Sequence, residues 1–111
     1  MSAIMERIQR HFESLGTRTI EVPEWGEDGK PLQIRALPLT ISDKAFILQQ
    51  AGHDEFKQLV WTLIRCARTP AGDPVWHRGD RAALEREADE RIIRRIAEQI
   101  LLGPTEADLG N

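Results

Sequence analysis

The chain has 111 residues and a formal net charge of −3 at pH 7, a length that allows one domain and leaves no room for a second core. Its composition, 41% hydrophobic and 30% charged, is that of a globular protein and excludes extended disorder away from the termini. Eighteen acidic residues interspersed with 15 basic ones argue against nucleic-acid binding, whose affinity depends on clustered Lys and Arg.

A single cysteine, Cys66, excludes an intramolecular disulfide. No apolar run approaches the 18 residues a membrane span needs. The N-terminus interrupts its apolar residues with Glu6, Arg7 and Arg10, unlike a signal peptide. The expectation is a cytoplasmic protein without a membrane partner.

From Ser2 to Leu15, Ile4, Ile8, Phe12 and Leu15 recur at helical spacing and Met5 widens the stripe. This predicts an amphipathic helix over residues 1–16, capped by Ser2 and stopped at Gly16. Its apolar face either completes the core, the simpler expectation, or stays available to a partner. Residues 17–102 are expected to hold the hairpin and helical core of the same domain. Alternation from Thr17 to Val22 and again from Leu32 to Leu37, around the turn residues Gly26 to Pro31, predicts a β-hairpin over about 18–37. Pro23 favours an edge or a strand end, because it has no amide hydrogen.

Thr40 followed by Asp43 predicts the start of a second helix, and Gly52 its end. Asp54 predicts the cap of a third. Its apolar positions Phe56, Leu59, Val60, Leu63, Ile64 and Ala67 suit a central helix. After the Thr69 to Pro74 turn, Val75-Trp76 reads as a short extended stretch. Asp80 then caps a helical run to Leu102, with a break expected near Glu87 to Asp89 and Leu84, Ala88, Ile92, Ile96 and Ile100 facing inward. Gly103-Pro104 stops that run, and residues 103–111 read as a flexible tail. The expected fold class is α+β, a β-hairpin packed against about four helices in a single domain.

Catalytic chemistry finds no foothold in this pattern. His11, His53 and His77 fall in three segments, without the convergent spacing a metal site needs. Cys66 lies among Ile64, Arg65 and Ala67, without the neighbouring base that activates a thiol. The glycines lack the strand–loop–helix setting that holds phosphate. Arg91, Arg94 and Arg95 lie among Glu87, Asp89, Glu90 and Glu98, which reads as a salt-bridged solvated face. No cofactor, metal or catalytic residue is therefore expected. Trp25 at the hairpin end and Trp76 in a loop are lids over the core or anchors for a partner. The candidate partner-binding residues are Met5, Ile8, Phe12, Trp25 and Trp76.

One order of segments is distinctive. Val22-Pro23-Glu24-Trp25-Gly26 leads through a second strand to Arg35-Ala36-Leu37-Pro38-Leu39-Thr40, then to helices, then to Asp73-Pro74-Val75-Trp76 and an Ile-rich last helix. Over about residues 17–102 it resembles the tail assembly chaperones of long-tailed bacteriophages. It departs from that pattern at Arg68-Thr69-Pro70 and His77-Arg78-Gly79, where acidic residues are usual. The resemblance implies a non-enzymatic protein of phage or prophage origin that acts in the host cytoplasm and is absent from the mature virion. It implies binding to the tape measure protein, which stays soluble while the tail-tube protein is recruited, and sometimes a longer frameshifted product. Self-association is compatible with that role. The competing reading is a small bacterial adaptor or regulator that binds nucleic acid or a protein through the Arg-bearing last helix; a small enzyme ranks third.

Overall fold

Residues 2–103 are described by the computed structural model, and they run as one helix, a β-hairpin and four further α-helices. Helix α1 spans Ala3–Leu15; the Ser2 hydroxyl accepts the Met5 amide at 3.1 Å, and the chain turns away at Gly16 with φ 67°. Strands β1 (Arg18–Glu27) and β2 (Lys30–Ala36) pair antiparallel, with Ile20 opposite Ile34 and Val22 opposite Leu32. Asp28 and Gly29 join them at φ 54° and 75°, the positive values that a tight two-residue hairpin turn requires. Pairing is irregular between Val22 and Glu27. Pro23 sits in that gap, where no ladder amide is demanded of it. Gly26 sits there too, and a Cβ at this position would run into the Lys30 carbonyl.

Helices α2 (Ile41–Ala51) and α3 (Glu55–Cys66) follow from their caps. Thr40 and Asp43 exchange side-chain-to-backbone hydrogen bonds in a full capping box, and Asp54 accepts the Lys57 amide at 3.1 Å. A 3₁₀ turn at Arg78–Asp80 leads into α4 (Arg81–Glu87), and α5 (Glu90–Leu102) begins after a break at Ala88-Asp89. The fold is α+β, as the alternating and helical periods imply.

The central element is α3, packed on α2, α4 and α5, while α5 also meets β1. The inner face of the hairpin buries Ile20, Val22, Ile34 and Ala36 against Val60 and Leu63 of α3 and Ile92, Ile93, Ile96 and Ile100 of α5. Full burial of each large aliphatic side chain contributes about 1.5–3 kcal/mol. A smaller cluster lies between α2 and α3, where Ile47, Ala51 and Trp61 are buried and the Phe46 ring meets Trp61 edge-on at 6.0 Å. Buried Thr62 donates its hydroxyl to the Gln58 carbonyl at 2.7 Å, so no polar atom is stranded there.

Two ties hold the layers together. Arg18 at the start of β1 donates to the Gln99 carbonyl at 2.7 Å and to that of Gly103, which satisfies acceptors left open at the C-terminus of α5. Arg35 and Arg68 exchange both backbone hydrogen bonds, at 2.7 and 2.8 Å, so the exit of α3 forms a rung on the outer edge of β2.

Four expectations are corrected. Helix α1 does not complete the core: none of its residues is buried, because β1, α3 and α5 close that core without it. Phe56 is not an inward position of α3; it lies in the first turn and is 64% exposed. Val75-Trp76 is a bend whose neighbour Pro74 bridges Arg68, not an extended stretch. Asp80 does hold the N-cap position of α4, but its side chain makes no capping hydrogen bond there; its carboxylate instead accepts the His77 amide at 2.8 Å and closes the 3₁₀ turn. The tail expected over residues 103–111 lies outside the described residues apart from Gly103.

Candidate partner-binding surfaces

The five candidate residues fall on two separate surfaces. Met5, Ile8 and Phe12 lie on α1, whose start is set by the Ser2 cap and whose apolar residues recur at helical spacing. Along it Ile4 is 61%, Met5 43% and Ile8 52% exposed, while Phe12 and Leu15 are half-buried. Ile4 and Ile8 form a shallow apolar strip between Arg7 and His11. At the root of the helix, Leu15 borders a hollow of about 390 Å³ shared with Arg18, Gln99 and Ile100. Beyond Phe12 and Leu15, the outer part of this amphipathic helix presents an apolar face with no partner among the described residues.

Trp25 and Trp76 meet on the other surface. They are 51 positions apart, yet their rings pack edge-to-face with centroids 6.0 Å apart and planes at 81°. Trp25 arrives at the irregular end of β1, and Trp76 from the bend after Pro74. Both are half-buried and pack against the main core, so the lid role holds for their inner faces. Their outer faces border a hollow of about 310 Å³ floored by Ala83, Leu84 and Ala88 and flanked by Asp80 and Glu87.

A third apolar surface was missed by the sequence reading. Phe56, Leu59, Val60, Leu84 and Ile93 line a groove of about 330 Å³ between α3, α4 and α5. The signal for it was the width of the α3 stripe, which exceeds what one packed face can use.

The charged residues are largely committed to one another. Arg95 grips Glu24 on β1 with two hydrogen bonds of 2.7 Å. That grip takes the Glu24 carboxyl from its ordinary 4.5 down to about 2. Arg94 donates to Glu90 at 2.8 Å. Arg91 pairs with Asp89 at 3.2 Å, and its hydrogen bonds hold that carboxyl low. All three arginines of α5 are thus engaged by carboxylates, which leaves little of the free positive charge a phosphate backbone would need. Arg65 bonds Asp43 at 3.1 Å and lies over the Phe46 ring at 4.7 Å. Partial burial alone would raise the Asp43 pKa, but hydrogen bonds from Thr40 and Arg65 outweigh it and leave the carboxyl below its ordinary value.

Burial pushes the Cys66 thiol up to about 12, with nearby Asp43 adding to the effect. A thiol held protonated in this way is a poor nucleophile at neutral pH. Among the described residues, no group of three or more His, Cys, Asp or Glu is placed to hold a metal ion. No helix among them is long and apolar enough to cross a membrane. Comparison with protein-family models, with curated proteins and with solved structures gives no match.

Proposed function

We propose that this chain binds an apolar helical protein client, acting as a tail assembly chaperone that holds the tape measure protein in the host cytoplasm until tail-tube protein is recruited. The observation that carries this reading is the unpartnered stripe of α1. Ile4, Met5 and Ile8 face outward on a helix that buries none of its residues. Paired apolar residues at i and i+4 are what one amphipathic helix uses to grip another. Exposed aliphatic side chains cost solubility and stabilise nothing in the free domain, so their use lies in contact with something else. The choice of client follows from the resemblance of the segment order to that of the phage chaperones.

Co-expression with a long tape measure protein tests the proposal. The wild-type chain is expected to raise the soluble fraction of the client several-fold. The double variant Ile8→Asp, Phe12→Asp is expected to remove that rise while its circular dichroism stays native. Equal rescue by wild type and variant would refute the assignment of α1, and absence of rescue by wild type would refute the chaperone role.

A further inference from the structure

The corner between Trp25 and Trp76 has a chemistry of its own. Its walls are two indoles at 81°, its floor is Ala83, Leu84 and Ala88, and its flanks are the carboxylates of Asp80 and Glu87. No Lys, Arg or His lines it. Of the basic groups nearby in the chain, Arg78 lies over Trp61, Arg81 pairs with Glu85 and Arg95 is held by Glu24, while His77 and Arg86, the neighbours of Trp76 and Glu87, do not line the hollow. Asp80 uses one carboxylate oxygen on the His77 amide, and Glu87 forms no hydrogen bond or ion pair within the described residues.

An apolar lid over a core needs no acidic rim. Here two indoles and two carboxylates line one hollow, and no positive side chain lines it. Aromatic faces attract ammonium and guanidinium groups, and a carboxylate beside them adds to the attraction. We propose that this corner seats a cationic side chain, lysine or arginine, carried by the helical partner that α1 engages through its apolar stripe. The inference rests on the protein-binding reading and gives the partner a second requirement, a positive residue displaced from its apolar face.

Indole N–H resonances of the full-length chain, titrated with ethylguanidinium chloride and against sodium chloride at equal ionic strength, test the seat directly. Trp25 and Trp76 are expected to shift and saturate with guanidinium alone, while buried Trp61 stays still. Glu87→Gln, at an exposed helix position, is expected to weaken the effect by roughly two- to fivefold, the range of an exposed charge pair lost while both indoles stay. Saturation at Trp25 and Trp76 that is unchanged in Glu87→Gln, or equal response to the two salts, would overturn the seat.

A pair of amphipathic helical peptides, one with arginine and one with citrulline in its place, separates the two readings. Tighter binding of the arginine peptide, lost in Glu87→Gln, supports both. Equal binding of the two sinks the cationic seat and leaves the protein-binding reading standing. Guanidinium saturation without binding of either peptide does the reverse.

Discussion

Replacing Ile8 and Ile96 in parallel puts the central assignment at risk. Both are isoleucines in the middle of helices that begin at well-formed caps. Ile96 is fully buried between α5, the hairpin and α3, whereas Ile8 is 52% exposed on α1. Ile96→Ala removes methyl groups from a closed core and leaves a cavity, a loss of about 2–5 kcal/mol. For a domain of this length each kcal/mol lowers the melting temperature by roughly 4–8 °C, so the midpoint falls by at least about 8 °C. Ile8→Asp deletes no packing, and the expected change is about 0.5 kcal/mol or less. Urea unfolding followed by tryptophan fluorescence reads both, since Trp61 is buried in the folded state. A cost above about 1 kcal/mol for Ile8→Asp would mean that α1 packs on the domain in solution, and the docking face would be lost with it.

Gly26→Ala is expected to destabilise by about 1–3 kcal/mol, because the new Cβ meets backbone at Lys30 and not a movable side chain; a neutral result in thermal unfolding would contradict the close approach. The ion pair between Glu24 and Arg95 gives a pH signature. Because the folded carboxyl titrates near 2 and not near 4.5, its stabilising effect is complete above about 4.5 and is lost as the pH falls toward 2. Glu24→Gln should flatten the stability profile in that window and leave its slope near neutrality unchanged; NMR titration of the Glu24 carboxyl with a midpoint near 4.5 would refute the pairing. Cys66 should react with a thiol reagent at pH 8 at least about a hundredfold more slowly in the folded chain than in urea, and equal rates would show that the thiol is not held protonated.

What the sequence made legible was local. Thr40 with Asp43, and Asp54 before Phe56, specify helix starts through atoms three residues apart, and the break near Ala88 follows from the loss of period there. Alternation around Asp28-Gly29 defines the hairpin and its inward face in the same way. What stayed hidden depends on where elements meet. Periodicity marks α1 as having an apolar face, but the hairpin and α5 decide whether that face is needed. The same limit hid Phe56, the grip of Arg95 on Glu24 and the meeting of Trp25 with Trp76. Arg18 closing the end of α5 depends on two segments more than eighty positions apart, and nothing in the identity of one arginine announces such a partner. For the candidate site, residue types were legible, but their grouping into a helix stripe and an indole corner was not.

The exchange of backbone hydrogen bonds between Arg35 and Arg68 has a mechanical consequence. A two-stranded ribbon has two raw margins that invite strangers to add a strand, and this rung occupies part of one with the chain's own backbone. It also stitches the ribbon to the base of the central helix, so peeling either away must tear the other. Their amides should therefore exchange with deuterium only when the whole domain opens, at the slowest rate in the molecule.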